Sequence, residues 1–485
     1  MVAQTFAPQQ EGGAEVSSRH GAANLSRTHD VVVLALGAGK AGPTSVGEHP
    51  TGAPWRLHRI EYRGEYLPEA LKSTAPLWKK TLWHVQAAIG PVRRDDLRAF
   101  FAEERFDLIY AQNAMRFQPH LFDVAAELRL PVVQHLRDYA LLCARTSMFR
   151  NGRNCEHACL TCKVLTLRAR SASRSVGTVI AVSDFVRKRY QQAGVFPGAD
   201  WHVLHNTNTA RADFDPGLLT ERAVPNGPVT FGYLGALSPE KGVEDLLRAF
   251  ATIPPELGCR LLVAGRGVGA YVNGLRALGE TLCPGRVEWL GHVPPSVVFR
   301  AADVVVVPSR WHEPQGRVLV EAATCGVPVI AARTGGTPEI VEGHRTGWCY
   351  DLANTGQLAA LMQDAATGGA AHWRGRVPGL FPGLTGYHGT AEDSRYYERL
   401  EQIFEILGKP ARGKTCEAIQ GILAEGDEIM EDYKGTSALD AGLISSAQAV
   451  EHYEIARYGA LREWAKVLGH TEAHDLLSQI LDMEK

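Results

Sequence analysis

The sequence predicts an α/β protein in which two doubly wound, Rossmann-like domains in series face a cleft, and an all-helical module follows. Three observations carry this reading. Short apolar runs alternate with helical patterns twice along the chain, as parallel sheets covered on both faces require. A stretch rich in Pro, Asn and Gly near 216–228 separates the two series, and strand patterns stop near Tyr396, where helical spacing of Leu, Ile and Ala takes over. A chain of 485 residues is also too long for one ordinary core and suits two or three domains. We divide it into 1–205, 206–390 and 391–485.

In order, a short first strand ends near Phe6-Ala7-Pro8, and buried strands are expected at 29–36, 106–111, 130–135 and 178–183. Helical patterns cover 122–128 and 185–192. The second series places strands at 229–234, 260–264, 287–290, 304–307 and 327–331, most of them feeding a Gly-, Pro- or Ser-rich turn and then a helix. Ligands on such sheets sit beyond the carboxyl ends of the strands. The tail is expected to form helices over 399–407, 416–430, 439–468 and 472–483.

Hydrophobic residues at 45% and charged residues at 21% exclude a disordered or fibrous chain. A formal charge of -2 gives no general attraction to nucleic acid, so no nucleic-acid partner is expected. No run of eighteen apolar residues predicts a membrane span, and Met1–Phe6 lacks the basic-then-apolar pattern of a signal peptide. The expected compartment is therefore the cytoplasm. The segment 77–85 mixes lysines with tryptophans. It reads first as a helix packed on the N-terminal domain with its lysines solvated. The alternative is a peripheral contact with the inner membrane surface, near a lipid acceptor.

The chemistry concentrates in the second series. Holding a ribose takes a carboxylate that accepts from paired hydroxyls, and holding a diphosphate takes a cation plus backbone N–H groups at a helix start. Glu313 and Glu321 supply carboxylates, with Glu321 read as beginning a helix. Gln315-Gly316 between them offers backbone N–H groups, and Lys241 after the strand ending at Leu234 offers an ammonium. Thr334-Gly335-Gly336-Thr337-Pro338-Glu339 adds a second Gly-rich turn entering a helix.

Glu313-Pro314-Gln315-Gly316 followed by Glu321 resembles the E-x(7)-E signature of family-4 retaining glycosyltransferases, which have the GT-B fold. Leu237-Ser238-Pro239-Glu240-Lys241-Gly242, Val307-Pro308-Ser309, Gly326-Val327-Pro328-Val329, Gly12-Gly13-Ala14-Glu15 and Ile180-Ala181-Val182-Ser183 agree, in order, over roughly 1–390. The resemblance implies that Glu321 binds the donor ribose and that Glu313, with the Gln315 and Gly316 backbone, holds the sugar hydroxyls. It implies that Lys241, beside the Gly235 turn, stabilises the diphosphate, and that Gly12 and Gly13 face the phosphate or acceptor. The sugar would keep its anomeric configuration, with the departing phosphate assisting the acceptor hydroxyl and no metal required. Catalysis would be mostly positioning and electrostatic stabilisation.

This sequence departs from the family pattern at three places. Ala236 stands where the family has arginine, Gln315 replaces an aromatic residue, and Arg137 replaces the N-domain histidine, with His135 two positions earlier. On a strand those two share a face, so either could reach the cleft; Arg137 is taken as the one that brings positive charge there. Two rival signals are weaker. Gly265-Arg266-Gly267-Val268-Gly269 lacks the acidic residue a dinucleotide site wants about twenty residues on, and Asp213-Phe214-Asp215 falls in the interdomain stretch.

Of nine cysteines, Cys143, Cys155, Cys159 and Cys162 form C-x(11)-C-x(3)-C-x(2)-C. That spacing suits a structural Zn²⁺ site stapling an insertion over 143–162; the alternative is four ordinary thiols. Finally, the segments 397–404, 413–418 and 450–459 resemble part of the YciE/YciF-type ferritin-like family. Without the first helix of such a bundle, and with Tyr396 at what would be a ligand histidine, Glu451, His452 and Glu454 are left as a half-site. The tail is expected to bury an apolar face by self-association or docking. The reading is thus a retaining glycosyltransferase acting on a nucleotide-sugar donor and an unidentified acceptor. Its rivals are a sugar- or nucleotide-binding protein without turnover and an iron-linked stress protein acting through the tail.

Overall fold

In a computed structural model of the chain the described residues are 1–3, 13–37, 55–60, 78, 84–86, 88–103, 105–112, 114–206, 228–343, 346–376 and 457–483. The chain divides into two compact units, Met1–Gly389 and Thr390–Lys485.

The first unit contains two parallel sheets. In the N-terminal half, β1 (Val32–Leu36) pairs with β2 (Arg56–Ile60), and β3 (Ile109–Gln112), β4 (Val132–Leu136), β7 (Thr178–Ala181) and β8 (Asp200–Val203) pair in that order. Val2 joins the two groups, bridging Leu34 on one side and Ala111 on the other in parallel. The expected first strand is thus central, and Met1–Ala3 are its described residues. Between β4 and β7 a small antiparallel hairpin, β5 (Phe149–Arg150) with β6 (Arg153–Asn154), stands apart from the sheet.

The C-terminal half holds β9 (Thr230–Leu234), β10 (Arg260–Ala264), β11 (Val287–Gly291), β12 (Val304–Val307), β13 (Val329–Ala332) and β14 (Gly347–Tyr350). Their order is β11-β10-β9-β12-β13-β14, all parallel. All four residues of β12 are buried. Val304 and Val306 enter a core with Phe231 and Phe250, while Val305 and Val307 enter another with Phe299 and Leu319. That alternation explains the unbroken valine run, because a strand covered on both faces needs no polar position. Each fully buried valine contributes about 1.5–3 kcal/mol.

The strands not expected from sequence are β2, β8 and β14, each at a sheet edge, and the β5–β6 hairpin. Edges are short and carry polar residues, as in Arg56-Leu57-His58-Arg59-Ile60 of β2, so their apolar signal is weak. In the second unit, residues 457–467 are helical and a further helix spans Thr471–Met483, with Ala465, Ala473, Leu477 and Ile480 buried together. Leu461, Trp464, Val467 and Leu468 are exposed there. The other expected tail helices, and Glu451, His452 and Glu454, lie outside the described residues. Among the described residues no helix is long and apolar enough to cross a membrane. Of 77–85, residues 77 and 79–83 are likewise outside them; Trp78 is exposed.

Candidate functional site

In the C-terminal sheet the chain runs outward from β9 in both directions, so β9 and β12 are adjacent and the loops leaving them diverge. Such a switch point forms a crevice at the carboxyl ends of the strands. The loop after β9 carries Lys241 in a short 3-10 turn, Pro239–Lys241, and the loop after β12 carries Ser309, Trp311 and Glu313. The two loops are bonded together: the Arg310 N–H donates to the Glu240 carbonyl at 2.8 Å, and the Arg310 guanidinium pairs with Asp245 at 2.6 Å.

That bonding brings the Lys241 ammonium onto the carboxylate of Glu313. The Ser309 hydroxyl donates to the same carboxylate oxygen at 2.8 Å, and the ammonium lies 5.1 Å from the Trp311 ring centroid, within cation–π range. Burial pushes the Glu313 carboxyl upward, but Lys241 and the Ser309 hydroxyl outweigh it and hold the group below the usual glutamate range. Lys241 and Glu313 thus form one charged pair in this structure, where sequence reasoning gave them separate tasks.

Glu321 does not begin its helix, as the sequence reading had it. The helix spans Arg317–Thr324. Gly316, at φ 81°, makes the sharp entry that L residues resist, and Glu321 sits one turn in, where Arg317 pairs with it at 2.7 Å across an i,i+4 step. Arg317 was missed, having no motif of its own. Gln315 is 1% exposed, and its side chain accepts from the Asn206 N–H at 2.5 Å, so it fastens the interdomain stretch.

On the N-terminal side, Arg137 follows β4 and donates to Gln112 at 3.0 Å and to the Asn206 side chain. His135 lies deeper, fully buried, with Nδ1 2.5 Å from the Tyr110 hydroxyl; burial and the nearby Arg137 charge hold its pKa well below the usual histidine value. Of the two, Arg137 is the one that reaches Asn206, which Gln315 holds. Gly12 lies outside the described residues, and Gly13 starts the helix Gly13–Leu25. Gly235 packs its backbone N–H on the Ala264 carbonyl at 3.1 Å, and Ala236 beside it is exposed.

Several contacts that sequence reasoning missed fasten the two halves. The Tyr139 hydroxyl donates to the His312 carbonyl at 2.8 Å and the Ser183 hydroxyl to the Pro314 carbonyl at 2.5 Å. The Glu339 carboxylate accepts from the Asp184 and Phe185 N–H groups at 2.7 and 2.8 Å, at the start of the helix Asp184–Gln192. Such partners are far apart in sequence and have no local signature. Beside the Lys241 loop, a cavity of about 510 Å³ opens at the ends of β10 and β11, lined by Leu237, Gly265, Arg266, Gly267, Arg276 and His292 among others. The glycine cluster that is weak as a dinucleotide signal therefore borders open space.

The four clustered cysteines are thiols, with the sulfurs of Cys143 and Cys162 3.9 Å apart. Among the described residues no three His, Cys, Asp or Glu side chains surround a common point as a metal centre would have them.

Residues 12–207 match the family described as Glycosyl transferase 4-like domain, residues 220–371 that described as Glycosyl transferases group 1, and residues 388–485 the Domain of unknown function (DUF892). An uncharacterized 42.6 kDa protein in the cps region of Klebsiella pneumoniae is 22% identical over 341 residues, covering 70% of this chain and 86% of that one. A D-inositol 3-phosphate glycosyltransferase of Corynebacterium jeikeium is 38% identical over 141 residues, covering 27% of this chain and only 33% of its own length. Among solved structures, Anabaena Alr3699/HepE in complex with UDP-glucose shares the fold, with a TM-score of 0.57 and 22% identity over 83% of this chain and 98% of that one. On a GT-B fold, the chain thus carries a glycosyl transferase 4-like domain over residues 12–207, a glycosyl transferases group 1 domain over residues 220–371 and a DUF892 domain over residues 388–485.

Proposed function

We propose that the protein transfers a sugar from a nucleotide-sugar donor to an acceptor hydroxyl with retention of anomeric configuration and without a catalytic metal. The observation that carries this is the charged cluster of Lys241, Glu313 and Ser309 at the switch point, beside a cavity large enough for a nucleoside. A diphosphate arriving there competes with Glu313 for the Lys241 ammonium. Once exchanged, Lys241 neutralises the leaving group and Glu313 turns its carboxylate to the sugar hydroxyls. Glu321, oriented by Arg317, takes the ribose. Lys241 supplies charge stabilisation at the point where a metal would otherwise be needed. The complexes of HepE with UDP-glucose and with UDP favour a uridine nucleotide as the first donor to try.

Two observations favour a second reading, donor binding without turnover: Ala236 offers no charge, and Arg137 is engaged with Gln112 and Asn206. Incubation with UDP- and GDP-sugars separates the two, because turnover releases nucleoside diphosphate and binding alone does not. Proton NMR of the first product reads the anomer, which retention requires to match the donor. For the tail, the exposed Leu461, Trp464, Val467 and Leu468 support self-association through the helical unit.

A further inference from the structure

We propose that the helix Leu160–Ala172, with the β5–β6 hairpin beside it, docks on a lipid bilayer whose headgroups are anionic, its outward apolar stripe entering the headgroup layer. The docking surface stands whether or not the crevice transfers a sugar.

This helix is inside out for one packed on a protein core. It buries Thr166 and Ala172, and the Thr166 hydroxyl donates to the Cys162 carbonyl at 2.8 Å. Its large apolar side chains point the other way: Leu160 is 79% exposed, Val164 64% and Leu167 67%. Their i, i+4, i+7 spacing sets them on one line along the helix. A helix that serves a core has the reverse arrangement, with leucine and valine on the packed side. Single exposed leucines are ordinary on a protein surface, but three in register form a continuous apolar stripe.

The charges around the stripe say what covers it. From 150 to 174 the chain carries Arg150, Arg153, Lys163, Arg168, Arg170 and Arg174 against one acid, Glu156, although the whole chain has a formal charge of -2. Arg150, Arg153, Lys163 and Arg174 are exposed. Arg150 and Arg153 belong to the hairpin, and the Arg150 charge is close enough to act on the Cys159 thiol at the helix start. The acids that face this surface already have cations: Asp123 pairs with Arg168 at 2.5 Å, and Glu156 lies 3.4 Å from Arg189. A positive rim around an apolar line is how interfacial helices bind. The apolar side chains seat about 5–10 Å into the headgroup–acyl boundary, while lysine and arginine stay among the phosphates. A fluid bilayer moulds itself to such a convex line, whereas a protein partner would need an acidic groove cut to fit it. The hairpin also joins this surface to the crevice: Asn154 donates to the Arg310 carbonyl and accepts from the His312 N–H, both at 2.8 Å.

The test uses the full-length protein and vesicles of phosphatidylcholine, alone or with about a third phosphatidylglycerol. Cosedimentation should be strong with the mixed vesicles, at least about tenfold weaker with phosphatidylcholine alone, and weakened by salt. Leu160→Ser, Val164→Ser and Leu167→Ser together should lower binding at least about tenfold with the melting temperature unchanged, because all three side chains are exposed. Val297→Ser, an exposed apolar position in the other half, should bind as wild type does. Val164→Trp sets a fluorophore on the stripe, and its added emission should be quenched by lipids brominated on their acyl chains. Protein that stays in solution with both kinds of vesicle overturns the proposal, as does binding that does not distinguish them. Binding that the triple variant keeps, or that Val297→Ser loses equally, overturns it too, and so does Val164→Trp emission that brominated lipid leaves unquenched.

Discussion

Glu313 is 6% exposed and meets an ammonium and a hydroxyl within a single loop pair. Because its pKa is depressed in the folded state, its charge contributes stability that is fully present above the unfolded glutamate value, about 4.3. That contribution is lost as pH falls through the lower folded value. Glu313→Gln leaves Lys241 without its carboxylate and should cost about 1–3 kcal/mol at neutral pH. Melting temperatures across pH check this: the gap to wild type should stay constant from about pH 8 to pH 5 and narrow below about pH 4. A gap of equal size at pH 3 would mean that the ion pair is not its source. The types and spacing of Glu313, Glu321 and Lys241 were legible as local motifs, and the structure sets Glu313 and Lys241 on facing loops and Glu321 one turn into a helix. Their mutual pairing was not, since nothing local in Leu237–Gly242 says which residue 72 positions later its lysine will meet.

Elements carry the next level of specificity. The turn Thr334–Glu339 was visible as a Gly-rich entry to a helix, but not as the place where the two halves touch. A Cβ on Gly336 would stand 2.3 Å from the Pro314 carbonyl oxygen and 2.7 Å from the Ser183 Cβ, and one on Gly335 only 2.0 Å from the Glu313 carbonyl oxygen. Gly336→Ala should therefore overpack the junction and destabilise the protein by about 1–3 kcal/mol. Gly198→Ala, whose Cβ meets nothing within 4 Å, is the control and should melt near wild type. Equal melting of the two variants would show that the junction gives way without cost. Core strands such as β12 were legible through unbroken apolar runs. Edge strands β2, β8 and β14 were not, because each has one strand neighbour among the described residues and tolerates Arg, His, Asp or Trp. The start of the Arg317–Thr324 helix was misplaced for a related reason: Gly316 ends one geometry and begins another, and the polar Arg317 reads as loop.

At the scale of the whole chain, the parallel sheets of the first unit create the crevice, and the β9–β12 switch point decides where on the second sheet it lies. The second unit is a different kind of object, with a helical face at Leu461, Trp464 and Leu468 that a lone protomer leaves in water. Trp464→Glu should lower the sedimentation coefficient toward that of a monomer; a wild type that already sediments as a monomer at tens of micromolar would contradict association through the tail. The most direct test of the central claim is nucleoside diphosphate release from a panel of UDP- and GDP-sugars by wild type, Glu313→Ala and Lys241→Ala. The charged pair at the switch point predicts release from at least one donor by wild type and a loss of at least about 100-fold in both variants, the scale seen when one transition-state contact is removed. Release that persists undiminished in both variants would contradict it.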